Sequence, residues 1–210
     1  MLHTLLLFSL LSLLTSSEAH ASSKGTKTHN QCNAKSLVPD NRVVSNLCVR
    51  GEIYRLFFDR NAGKIILVAK QHKLTLQEIL KGYDPSLVGA DRFIGFLPDS
   101  LQPYLGKNML LSVSAIRTSA GGGGGQCGAG AEIHLNVIDI AKPEPKLESK
   151  ILIASCAESI ELFDQDISSG AMNGISVVDD HLSLHFMNYK DFDGSPTATV
   201  APDFTRLLFK

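Results

Sequence analysis

From Glu132 to Val137 the chain alternates without a break, with Ile133, Leu135 and Val137 apolar and Glu132, His134 and Asn136 polar. A period of two sends these sets to opposite faces of a β-strand. The same signal recurs elsewhere. Residues 51–58 are β-rich, residues 59–63 form a turn cluster, and residues 64–69 read as a return strand, which together predict a hairpin. Residues 108–117, 147–156 and 159–163 supply further strand material. Near the C-terminus, residues 177–186 and 200–209 share one layout, in which a strand ends, an acidic turn follows and a second strand alternates away from it. Asp191-Phe192-Asp193-Gly194 joins them as two hairpins of a meander.

One stretch carries a helical signal. Thr75 and Glu78 stand at capping-box spacing before Ile79 and Leu80, so hydroxyl and carboxylate can satisfy free N–H groups at a helix start. Gly82 ends that helix, and the prolines and glycines of residues 84–106 leave room only for helical turns. The expected fold is mainly β, an antiparallel β-sandwich or barrel of hairpins with a short helical insertion near 75–105.

The N-terminal pattern is different. An apolar run from Leu5-Leu6-Leu7-Phe8 to Leu13-Leu14 precedes Ala19-His20-Ala21, a small-x-small cleavage signal. This predicts a secretory signal peptide over residues 1–21, although only His3 precedes the run. A polar arm over residues 22–36 and a single β-rich domain over residues 37–210 follow. No later stretch has the ~20 consecutive apolar residues of a spanning helix. The expected location is exported, either periplasmic or extracellular.

Export gives the four cysteines a meaning. An oxidising compartment favours disulfides, and Cys32–Cys48 with Cys127–Cys156 is the economical pairing because each closes a short loop. No C-x-x-C spacing supports zinc. A chain of this length can bury a sizeable core, so the disulfides assist the fold and do not replace it.

Charge adds a second layer. The formal net charge is −1. Residues 22–82 hold eleven Lys or Arg against four acids, whereas residues 83–210 hold nine against sixteen. From Glu158 to Asp193 there are eight acids, and Lys190 is the only basic residue. Either the halves neutralise each other across the fold, or one face steers an oppositely charged partner. Without a basic stripe, nucleic-acid binding is not expected.

The motifs that could carry other chemistry fall short. The five glycines after Ala120 lead into Gln126-Cys127 and a strand, not into the Gly-Lys-Ser/Thr and helix of a phosphate loop. His181 and His185 lie four residues apart on one strand face, about 13 Å, too far to share a zinc ion. His134 beside Glu132 is the best acid/base candidate, although a solvent-facing strand histidine explains it more simply. Asp179, Asp180, Asp191 and Asp193 would build a calcium site only if their two turns adjoin. Neither metal nor cofactor is therefore expected.

These readings favour a non-enzymatic exported binding protein. It would present acidic loops at Asp179, Asp180, Asp191 and Asp193 to a cationic protein, for instance as an inhibitor or immunity-type protein that blocks a basic hydrolase or toxin. The alternatives are a hydrolase of envelope polymers using carboxylates such as Glu132, Glu158 or Asp180, and a structural envelope component.

Overall fold

The computed structural model of the chain describes residue 32 and residues 43–59, 61–78, 95–117, 131–163 and 173–210. The alternating segments pair into three antiparallel sheets. The first is the meander β1 (Val43–Val49), β2 (Glu52–Asp59), β3 (Lys64–Ala69) and β4 (His72–Glu78). The second is β5 (Gly95–Phe96), β6 (Met109–Arg117), β7 (Ala131–Asp139) and β8 (Lys146–Ala154). The third runs through β10 (Ile175–Val178), β11 (His181–Tyr189), β12 (Thr197–Val200) and β13 (Leu207–Phe209), with β9 (Ile160–Leu162) also paired to β11. Mainly β structure in antiparallel sheets is thus correct, and among the described residues no sheet closes into a barrel.

The second sheet is the middle layer, and its alternation makes it so. Leu111, Val113, Leu135 and Val137 pack with Leu182, Leu184 and Phe186 of the third sheet. Their immediate neighbours Leu110 and Ile138 point the other way and pack with Leu56, Ile65 and Leu67 of the first. Adjacent residues of one strand therefore serve two cores, each fully buried side chain contributing ~1.5–3 kcal/mol.

The helix expected at Thr75 is a correction. Residues 72–78 are β4, paired to β3 through Lys64↔Glu78, Ile65↔Gln77 and Leu67↔Leu74, with a bulge at Leu76. The capping-box residues are local signals, and the sheet edge offered by β3 outweighs them by giving six residues a ladder partner and Leu76 a core. Helical structure in the described part of the insertion amounts to two 3₁₀ turns, Asp99–Leu101 and Leu105–Lys107.

These turns anchor the layers. Buried Gln102 donates from Nε2 to the carbonyls of Leu97 and Leu111, both at 2.8 Å, and its Oε1 accepts from Leu111 N–H at 2.8 Å. The Tyr104 hydroxyl accepts from Leu182 N–H at 2.9 Å, and its ring packs edge-on against Phe204. Arg50, in the β1–β2 turn, donates to the Leu105 carbonyl at 2.8 Å and to Asn108 Oδ1, tying the first sheet to the second.

Candidate partner-binding site

The two acidic turns of the third sheet are built by different means. Asp179 and Asp180 both take positive φ, 49° and 60°, the left-handed pair that a two-residue hairpin turn requires and that Asp tolerates. The next connection, from Lys190 at φ 51° to Gly194 at φ 81°, carries Asp191 and Asp193. All four carboxylates are exposed. They form two pairs, not one cluster. β11 spans the nine residues between the turns, and at ~3.4 Å per residue the pairs stand about 30 Å apart. A calcium ion binds oxygens at roughly 2.3–2.6 Å, so the four cannot share one. Among the described residues no group of three or more His, Cys, Asp or Glu side chains is placed to hold a metal.

The carboxylates of the hydrolase alternative are likewise spread out. Glu158 pairs with Lys190 at 3.2 Å, at the end of β11 opposite to Asp180. That separation far exceeds the ~5–9 Å that paired carboxylates need for glycoside hydrolysis. Glu132 lies in the middle sheet.

Between the acidic turns, the outer face of the third sheet carries apolar side chains the alternation did not lead us to expect. Leu182, Leu184 and Phe186 point inward as predicted, and His185 points outward. Met187 is exposed at the bulge where β11 pairs with β9, and Phe163, Val178 and Leu208 are exposed elsewhere on the same sheet. Phe192, in the Asp191–Gly194 turn, is 52% exposed. The Phe163 ring stacks on His185, with centroids 5.0 Å apart and planes 8° from parallel. This stack sits where the sheet edge is split. β9 and β10 lie along the same side of β11, and Phe163 N–H donates to the His185 carbonyl while His185 N–H donates to the Gly174 carbonyl. A side chain at Gly174 would place a Cβ 2.8 Å from Phe163 O and 2.9 Å from His185 O, which is why glycine stands there.

The charge split persists in the fold. Ion pairs Lys64–Glu78 and Lys70–Glu52 stay within the basic half, and Lys146–Glu148 and Lys190–Glu158 within the acidic half. Asp179, Asp180, Asp191 and Asp193 have no ion-pair partner among the described residues.

His134 departs from expectation. It is half-buried, and burial, followed by the positive charge of Lys150, lowers its pKa from 6.5 to about 4. Its Nδ1 is buried and has no hydrogen-bond partner among the described residues. Ser114 lies opposite it across the ladder, but the Ser114 hydroxyl is bonded to the Asn136 amide at 3.0 Å. A serine–histidine pair working as nucleophile and base needs an acid orienting the second ring nitrogen, and His134 Nδ1 has none. A base of pKa near 4 also has little driving force at neutral pH.

Cys32 and Cys48 are disulfide-bonded, Cα atoms 5.9 Å apart, in agreement with the expected pair. Cys156 is disulfide-bonded as well. Cys127, the glycine run, the signal segment and all of the polar arm except Cys32 lie outside the described residues. No helix among the described residues is long and apolar enough to cross a membrane. Comparison with known proteins found no family model that matches the chain and no curated protein that resembles it.

Proposed function

We propose that the chain is an exported, non-enzymatic binding protein that blocks a cationic protein, such as a basic hydrolase or toxin, through the outer face of its third sheet. One observation carries this reading. Among the described residues, four of the seven large apolar side chains left exposed lie on that outer face: Phe163, Val178, Met187 and Leu208. Exposed carboxylates flank that face at both ends of β11. An apolar centre with a charged rim is the anatomy of a protein interface. The Cys32–Cys48 disulfide is compatible with an oxidising, exported location. Rim carboxylates accelerate encounter more than they hold the complex, because salt screens exposed charges beyond roughly 8–10 Å.

The test separates rim from centre. Replacing Asp179, Asp180, Asp191 and Asp193 by Asn is expected to slow association with the captured partner and flatten its salt dependence, with thermal stability unchanged. Met187→Ser is expected to speed dissociation. If the Asn variant destabilises the protein and leaves the association rate alone, the acids serve internal neutralisation and the reading fails.

A further inference from the structure

β13 ends the third sheet, and its hydrogen-bonding pattern leaves one side open. Lys210 N–H donates to the Thr197 carbonyl and Ala201 N–H to the Arg206 carbonyl. Residues 206, 208 and 210 therefore turn their backbone groups towards β12. By alternation, Leu207 and Phe209 turn theirs away from the sheet. No strand among the described residues pairs with that side.

An aromatic row leads out to this edge. Phe186 is fully buried, Tyr189 packs against it at 5.0 Å, Phe209 against Tyr189 at 4.4 Å, and Phe192 stacks on Phe209 at 4.7 Å. The core thus continues to a half-exposed ring beside two open backbone groups. Open backbone supplies affinity to an added strand, and a neighbouring apolar shelf selects its alternate side chains.

The charges decide what can be added. Antiparallel pairing of β13 with a second copy, centred on Leu208, would set Arg206 of one chain opposite Lys210 of the other. Like charges directly opposite disfavour a strand pair. A foreign strand avoids that clash where its residues opposite Arg206 and Lys210 are uncharged, and the exposed carboxylates of Asp191 and Asp193 beside Phe192, and of Asp203 near Arg206, favour basic residues just beyond them.

We propose that β13 accepts an extended segment of the cationic partner as an added antiparallel strand. The segment's apolar residues would face Leu207, Phe209 and Phe192, and its basic residues the flanking acids. This inference rests on the binding reading above and names how that partner docks.

The probe is the peptide acetyl-Lys-Gly-Thr-Val-Thr-Val-Thr-Gly-Lys-amide, which sets threonines opposite Arg206 and Lys210, with a second version methylated on its valine nitrogens. Valines aligned with Leu207 and Phe209 aim their N–H groups at β13, so methylation removes the bonds and keeps the side chains. Amide exchange at Leu207 and Phe209 is expected to slow with the first peptide, and the methylated one to bind at least about tenfold more weakly. Leu207→Pro removes only an outward N–H and is expected to weaken binding similarly while β12–β13 stays paired. Unprotected amides at both positions, or equal binding of the two peptides, overturns the proposal. Poly-L-lysine binding is measured alongside. If it depends on the four Asp residues while the amides stay unprotected, strand addition fails and the acid-rim reading stands. If it ignores those residues, both fall.

Discussion

Acidification asks His134 to take up a proton where its surroundings resist one, and the cost follows from the geometry. In the unfolded chain an imidazole titrates near 6.5, whereas in the fold burial and Lys150 hold His134 at about 4. Above pH 6.5 both states are neutral at this position and the group contributes no pH dependence. As pH falls, the unfolded chain binds the proton first, so folding stability is lost from about pH 6.5 down to about pH 4 and then levels off for this group. The shift corresponds to at most ~3.4 kcal/mol at 1.36 kcal/mol per unit, and partial solvation of a half-buried ring reduces that to about 2 kcal/mol. The assay is urea unfolding at half-unit steps from pH 4 to 7.5, comparing the wild type with His134→Leu. Leucine removes the titration and also the buried, unpartnered Nδ1, so stability at pH 7 is expected to hold or rise. The difference between the two curves should grow by about 2 kcal/mol across the window, which cancels carboxylate titration common to both. Lys150→Met should narrow the window by raising the His134 pKa. Parallel curves for the wild type and His134→Leu would refute the reasoning.

Reducing the Cys32–Cys48 bond, which spans a sequence separation of 16, is expected to lower stability by about 3 kcal/mol while leaving a folded protein, because the buried members of both cores lie outside the loop and only Leu47 packs on one from within it. A Cys32→Ser, Cys48→Ser variant with a two-state melt and a lower midpoint checks this. Gln102→Leu strips the Leu97 and Leu111 carbonyls and the Leu111 N–H of their side-chain partner, and is expected to cost about 2–4 kcal/mol. A loss below 1 kcal/mol in urea would mean that the 3₁₀ segment relaxes to water and does not anchor β6.

Elements whose own alternation and turn residues agree with the fold were legible, and those whose local signal points elsewhere were not. The β2–β3 hairpin, β6, β7 and the C-terminal meander follow from alternation and turn residues in the strands themselves. β4 was hidden behind a capping box that is real as a spacing but loses to the edge of β3. β1 carries no clean alternation, since Val43 and Val44 are followed by a register shift before Ser45, and its identity comes from β2. The division of labour in the middle sheet is also invisible locally. Leu110-Leu111 and Val137-Ile138 read as apolar runs, and only two covering layers explain why both members of each pair are buried.

The candidate site shows the same limit from the other side. Sequence located the acids in turns, where they are, but turn residues carry no information on which end of a strand they share. Asp180 and Asp191 bracket β11, so the strand that brings them into one motif on paper holds them apart in space. The apolar centre had a faint signal. Met187 falls on the polar phase of β11, after Ser183 and His185, and Phe192 sits inside an otherwise acidic turn. Met187 sits at the bulge of β11 and stays exposed, and Phe192 ends the aromatic row that leads out from Phe186. On the proposed binding reading, the apolar face and the acidic turns form a single feature. Removing the acids should leave a face that associates slowly but holds, and removing Met187 one that associates quickly and lets go.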